Sequence, residues 1–450
     1  MNTEKKLFYK TVASLVLPMA IQNLINVGVT SADVIMLGKV GETVLSGASL
    51  AGQIYFIMTL IFFGLTSGAA VLTAQYWGKQ DTDTIEKILG ISLKIGILTG
   101  ILFTVVALAV PETLMRLFTS EPEVIAEGVK YLKIVAYTYV ISGITMVYLN
   151  VVRSVERVVI ATVTYSVSLV VNVILNAIFI FGLLGVPAMG IRGAALGTLF
   201  ARLVELVIVL VYAYKINDTV RVRLKYIFRG EPLLMKDFKT YALPVMLNEL
   251  AWGSGMAMIS AIVGHLGSAA VAAYSVTQVS RQLAMVVSHG VASATAIMCG
   301  KAIGEKKEKK AEVYAKRLTV LTVILGVLGG LLILAITPLL KAVVNLTPLA
   351  QSYLTMMLRV MAVYVIVQSF NCTMIVGIFR SGGDTVYGLI LDAGFLWLGS
   401  ILLGAFCAFV VKIPMPWVYI VLSCDEFLKL PFALQRYRTK RWLRNVTREA

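Results

Sequence analysis

Charge is what this sequence has least of. Lysine, arginine, aspartate and glutamate make up 14% of its 450 residues, while 58% are hydrophobic. A soluble chain carries about a quarter of its residues as charges, so a soluble globular class is excluded. Histidine is almost missing: His265 and His289 are the only two, too few for a histidine-based metal centre. The four cysteines (Cys299, Cys372, Cys407 and Cys424) lie in apolar stretches at no metal-ligand spacing. They read as small buried hydrophobes and not as a disulfide framework. There is no G-x-x-x-x-G-K-[ST] phosphate loop, no G-x-S-x-G elbow and no H-E-x-x-H pair, which removes nucleotide-driven transport and the common hydrolases. No soluble stretch is long enough to hold an active site, so no enzyme and no cofactor is expected.

Long apolar runs are what the sequence has in abundance. A membrane helix needs about 20 mostly apolar residues. Hydropathy divides the chain into about twelve such spans, predicting an all-α, polytopic membrane protein. The first half gives approximate cores at 12–36, 47–76, 88–110, 129–152, 158–184 and 189–214. The second half gives 238–263, 270–300, 317–341, 352–379, 386–411 and 414–433. The first segment is too long for a signal-peptide core and lacks a cleavage-like end, so it is expected to stay as a membrane helix. The predicted organisation is an N-terminal six-helix lobe over 1–214, a cytoplasmic linker over 215–237 and a C-terminal lobe with a basic tail over 238–450.

The formal net charge of +16 does not call for nucleic acid, because no basic run is interleaved with stacking aromatics. The basic residues instead fall in alternate loops. One set holds Lys5, Lys6 and Lys10, then Lys79 and Lys87, Arg153 and Arg157, the linker, Lys301 to Arg317, Arg380, and the tail from Arg436. The opposite set is sparse. The positive-inside rule then places both termini in the cytoplasm of a prokaryotic cell membrane, which requires an even number of spans.

The two halves repeat. Pro18 and Pro244, Gly38 and Gly264, Gly64 and Gly290, and Gly78 and Gly304 all stand 226 residues apart. One such match is weak; four at a single offset indicate duplication. Six spans per half give both halves the same orientation, related by a pseudo-two-fold axis along the membrane normal, with a cavity expected between the two bundles. That design belongs to secondary transporters working by alternating access. One chain supplies both halves, so a monomer is expected.

Polar residues inside the spans are costly in hydrocarbon and mark candidate pathways. In span 1, Gln22, Asn26, Thr30 and Asp33 share one helical face. A polar stripe ending in a carboxylate is either a cation site or a seam against a neighbouring helix. Span 5 places Asn172 and Asn176 on one face, and their amide oxygens suit Na⁺. Thr198 adds a hydroxyl, unless it bonds back to its own helix. Beyond Na⁺, no metal is expected. The second half offers Glu249 beside Asn248, then Tyr364, Gln368 and Asn371 on one face of span 10; with Gln22 and Asn26 of span 1 these are the candidates for a substrate or second cation site. Glu249 is either a functional acid or half of a buried ion pair with Arg281. Arg202 and Glu205 read as a local pair. Asp392, Asp425 and Glu426 carry no assigned role.

Several ordered stretches resemble the multidrug and toxic compound extrusion (MATE) family. They are Leu17-Pro18-Met19 with Ser31-Ala32-Asp33 through Gly38, Gly64 to Gly68 with Ala74 to Lys79, Asn172 to Gly182, Gly190 to Thr198, Phe379 to Thr385, and Arg436 to Trp442. The resemblance spans nearly the whole chain. It implies an antiporter that exports amphiphilic, cationic drugs or metabolites in exchange for Na⁺ or H⁺, with Asp33, Asn172, Asn176 and Thr198 at a cation site. Relatives often carry aspartate where Asn176 stands, and some carry an aspartate in span 10 where this chain has Gln368, Ser369 and Asn371. The alternative is a flippase for a lipid-linked precursor, since a related branch shares the duplicated bundle.

Overall fold

The computed structural model describes residues 3–344 and 346–448, and among these it contains helices and no strand. In lipid every backbone amide must bond within its own segment, and helices meet that demand. The first half runs α1 (Thr3–Val40), α2 (Glu42–Gly78), α3 (Thr82–Ala109), α4 (Pro111–Arg116), α5 (Pro122–Val135), α6 (Thr138–Ser154), α7 (Val159–Phe181) and α8 (Ile191–Val211), with the short α9 (Leu224–Phe228) in the linker. The second runs α10 (Pro232–His265), α11 (Ser268–Gly304), α12 (Glu308–Val343), α13 (Pro348–Cys372), α14 (Thr385–Gly394), α15 (Leu402–Phe406), α16 (Met415–Leu422) and α17 (Asp425–Arg438).

Among the described residues ten helical stretches are long and apolar enough to cross a membrane, and the α5–α6 pair, bent by 55°, makes an eleventh if it counts as one span. α16 and α17 occupy the stretch expected as the twelfth span, divided at Ser423 and Cys424. Pro18 and Pro244 both sit inside continuous helices. π-helical stretches at Thr373–Phe379, Phe395–Ile401 and Cys407–Val411 continue α13, α14 and α15. Such segments rotate the residues beyond them relative to a plain α-helix, and they recur at functional sites.

The chain gathers into two compact units. The first contains Met1–Ala20, Ala70–Gln80 and Thr240–Ala450; the second contains Ile21–Ala69 and Asp81–Lys239. In the first unit the repeated glycines acquire a physical reason. A Cβ on Gly304 would meet the carbonyl oxygen of Gln75, and one on Gly78 would meet that of Lys301. The end of α2 and the end of α11 therefore cross at backbone contact, as small residues permit. The tail closes over the same crossing: Gln75 donates to Ser381 O (2.7 Å) and Arg444 O (3.0 Å) and accepts from Val446 N (2.7 Å). Arg436 grips both oxygens of Asp384 at 2.7 and 2.9 Å, and this hydrogen bonding raises its already high pKa.

In the second unit Gly96 and Gly143 bring α3 against α6, and Gly193 and Gly197 bring α8 against α7. The linker is tied down. Arg223 bonds Glu86 at 2.5 Å, Lys87 bonds Glu231 at 2.8 Å, and the Tyr226 hydroxyl donates to Asp83 at 2.6 Å. Donation to that carboxylate holds the Tyr226 proton more tightly than usual.

Candidate functional site

Two groups of polar residues are buried in the helices, one in each unit. In the second unit, α1 carries Asp33, α7 carries Asn172 and Asn176, and α8 carries Thr198. Asn176 Nδ2 donates to Asp33 Oδ1 at 2.6 Å and to Asn172 Oδ1 at 3.2 Å. Asn172 Nδ2 in turn reaches the Thr198 hydroxyl at 3.4 Å. The four residues expected from the sequence thus form one chain of contacts. Asn176 is fully buried, and its Oδ1 has no hydrogen-bond partner among the described residues. The amide fits only because Gly197 has no side chain, since a Cβ there would occupy the place of Asn176 Oδ1. Leu37, Ala48, Ile180, Ile191 and Ala194 form an apolar collar beside the site. Tyr131 packs into this collar with its hydroxyl beside Thr198. It sits on a predicted span of its own, with no spacing to tie it to Asp33, so periodicity carries no signal for it.

The ligand atoms here are a carboxylate, amide oxygens and a hydroxyl, a hard-oxygen set suited to H⁺ or Na⁺ and unsuited to soft metals. The orphaned Asn176 Oδ1 fits a cation as ligand. Among the described residues there is no group of three His, Cys, Asp or Glu side chains arranged to hold a metal ion.

The rest of the span 1 stripe behaves differently. Gln22 is buried and donates to Val158 O (3.3 Å) and the Thr162 hydroxyl (2.9 Å), forming a seam between α1 and α7. Asn26 is exposed, and its carbonyl accepts from Thr30 one turn on. Arg202 and Glu205 form the local pair expected, at 2.7 and 2.9 Å.

In the first unit, Glu249 pairs with Arg380 at 2.7 Å and not with Arg281. Arg281 is held by Gln278 one turn earlier on α11 (2.8 Å) and points its other end toward Gln368 (3.4 Å). The expected face of α13 splits between neighbours: Gln368 meets Arg281, Tyr364 reaches Asp425 (3.5 Å), and Asn371 donates to Glu426 Oε2 (2.8 Å). At the centre is a residue the sequence reading missed. Lys429, 1% exposed, contacts Asp392 at 2.7 Å, Glu426 at 2.9 Å and Asp425 at 3.4 Å. Asn248 joins this group by donating to Asp392 at 3.1 Å.

An all-helical, polytopic membrane protein with buried oxygen-lined polar sites is the class these features define. Residues 18–178 and 244–421 match the MatE family, and the chain belongs to it. A "probable multidrug resistance protein NorM" from Agrobacterium fabrum is 23% identical over 66% of this chain. That alignment covers 64% of the relative, so the chain spans just under two thirds of its length. A "probable multidrug resistance protein YoeA" from Bacillus subtilis is 22% identical over 86% of this chain and 84% of the relative. Among solved structures, a MOP superfamily transporter from Pyrococcus furiosus superposes with a TM-score of 0.86 at 19% identity, covering 96% of this chain and 95% of the other. At that identity the likeness shows the fold.

Proposed function

We propose that this protein is a cation-coupled antiporter that exports amphiphilic cationic compounds from a bacterial cell across its cytoplasmic membrane, with both termini inside. The observation carrying the proposal is the group formed by Asp33, Asn176, Asn172 and Thr198, in which a half-buried carboxylate accepts from the neutral, fully buried amide of Asn176. A carboxylate in low dielectric favours a partner of opposite charge. Among its hydrogen-bonded neighbours here, no basic side chain supplies one, so a mobile H⁺ or Na⁺ is the natural counter-charge. The relatives named for multidrug resistance supply the substrate class.

The lobes proposed for the mechanism are residues 1–214 and 238–450, joined by the linker. An ion entering the Asp33 site neutralises the carboxylate and favours the conformation that releases the drug outside. The ion drives this change only by binding the two conformations with different affinity. Uptake of a cationic dye into everted vesicles, under an imposed Na⁺ gradient and then an imposed pH gradient, tests the proposal. Uptake under one gradient and not the other supports antiport and names the ion. No response to either gradient, across a range of cationic dyes, rejects it and points to flipping of a lipid-linked precursor.

A further inference from the structure

Asp392, Asp425 and Glu426 surround a single lysine. Among the described residues Lys429 is the one cation in contact with all three, so three acids share a single lysine. The nearby cation Arg380 is spent on Glu249. Asp392 is half-buried, but Asp425 and Glu426 are 3% and 6% exposed, so two of the three acids have almost no access to water. An uncompensated carboxylate at such depth costs several kcal/mol and is avoided by neutralisation.

Two amides give independent information about how. Asn371 and Asn248, 1% and 4% exposed, each donate into the cluster, one to Glu426 and the other to Asp392. The carbonyl oxygen of each amide is buried with no donor among the described residues. Carboxylates are acceptors only, so an ionised cluster leaves both oxygens unsatisfied. A carboxylic acid is also a donor.

We infer that the Lys429 cluster binds a resident proton at neutral pH, held chiefly by Glu426 beside Asn371. A metal ion is less suited to this place, because the ammonium of Lys429 already occupies the centre of the oxygen cage. A proton needs only one lone pair. The remaining groups facing the cluster are neutral or already paired. Tyr364 and Ser400 contribute hydroxyls to Asp425. From α11, Arg281 engages Gln278 and Gln368, and His289 lies against the Cys372 thiol. The inference does not rest on the proposed antiport, because protonation is read directly and without a substrate.

The test is infrared titration of the purified full-length protein in the Asp33→Asn background, which removes the other candidate proton site. At neutral pH the absorption of a protonated carboxyl group is expected. It disappears in Glu426→Gln and titrates away at alkaline pH. Lys429→Gln, which removes the cation in direct contact with all three acids, is expected to increase it. Thermal unfolding gives a second readout. A proton bound in the folded state and absent from an unfolded carboxylate at neutral pH makes stability fall as pH rises, and Glu426→Gln abolishes that fall. Absence of the carboxyl band, or an unchanged band in both Glu426→Gln and Asp425→Asn, overturns the inference. Loss of the band on adding Na⁺ at constant pH overturns it in favour of a metal-ion site.

Discussion

The two buried polar groups use opposite means to hold their acids. Asp33 accepts from the neutral amide of Asn176, which bonds on to Asn172, and Asn172 to the Thr198 hydroxyl. The acids of the C-terminal half meet Lys429 and Arg380 at 2.7 to 3.4 Å. An acid held by neutral donors can change its cation without breaking an ion pair. One fixed to a buried lysine or arginine must first separate two charges in low dielectric, which is expensive. On the proposed mechanism, exchange belongs to Asp33 and a locking role to the Glu249–Arg380 pair.

The largest effect that would break this contrast is expected at the lock. Arg380→Met leaves Glu249 buried without its charge partner and should cost about 3–5 kcal/mol. Loss of folded protein on gel filtration checks it, with recovery in the double variant Arg380→Met, Glu249→Gln. Next comes the glycine crossing. Gly304→Ala places a methyl group against the Gln75 carbonyl and should cost about 1–3 kcal/mol, seen as a lower Tm. A change with more effect on function than on stability is Gly197→Ala. It displaces the Asn176 amide and is expected to weaken the cation dependence of transport several-fold at nearly unchanged expression.

The smallest effect is at the surface. Burial raises the pKa of Glu305, but Lys307 at 2.9 Å and Lys310 at 3.4 Å outweigh it, and its carboxyl stays below the usual range. A depressed folded pKa gives stability that is present above the unfolded value and lost as pH falls through the folded one. The Tm difference between wild type and Glu305→Gln should therefore vanish on acidification and shrink with added salt.

The architecture was legible because lipid leaves helices as the answer to a run of some twenty apolar residues. The Asp33 group was legible too: Asn172 and Asn176 lie one turn apart, and the stripe on α1 ends at the acid. Gln22 shows the limit of that signal, since the same stripe serves as a seam higher on the helix. The second cluster was hidden for a different reason. Lys429 and Asp392 are 37 residues apart on separate helices, and periodicity reads one helix at a time. Lys429 also stands close to the basic tail, where a lysine looks like an ordinary cytoplasmic charge. The partner of Glu249 was misassigned because Arg281 and Arg380 are equally plausible in a list of in-span cations. Geometry separates them: Gln278 engages Arg281, and Arg380 bonds Glu249.

The most direct test of the central claim is equilibrium binding of a fluorescent cationic dye to purified protein across a range of pH and of Na⁺ concentration. Wild type and Glu426→Gln should both release the dye as the coupling cation is added, whereas Asp33→Asn should bind it with an affinity that no longer responds to that cation. Retention of the wild-type cation dependence by a folded Asp33→Asn protein would contradict the assignment of coupling to this site.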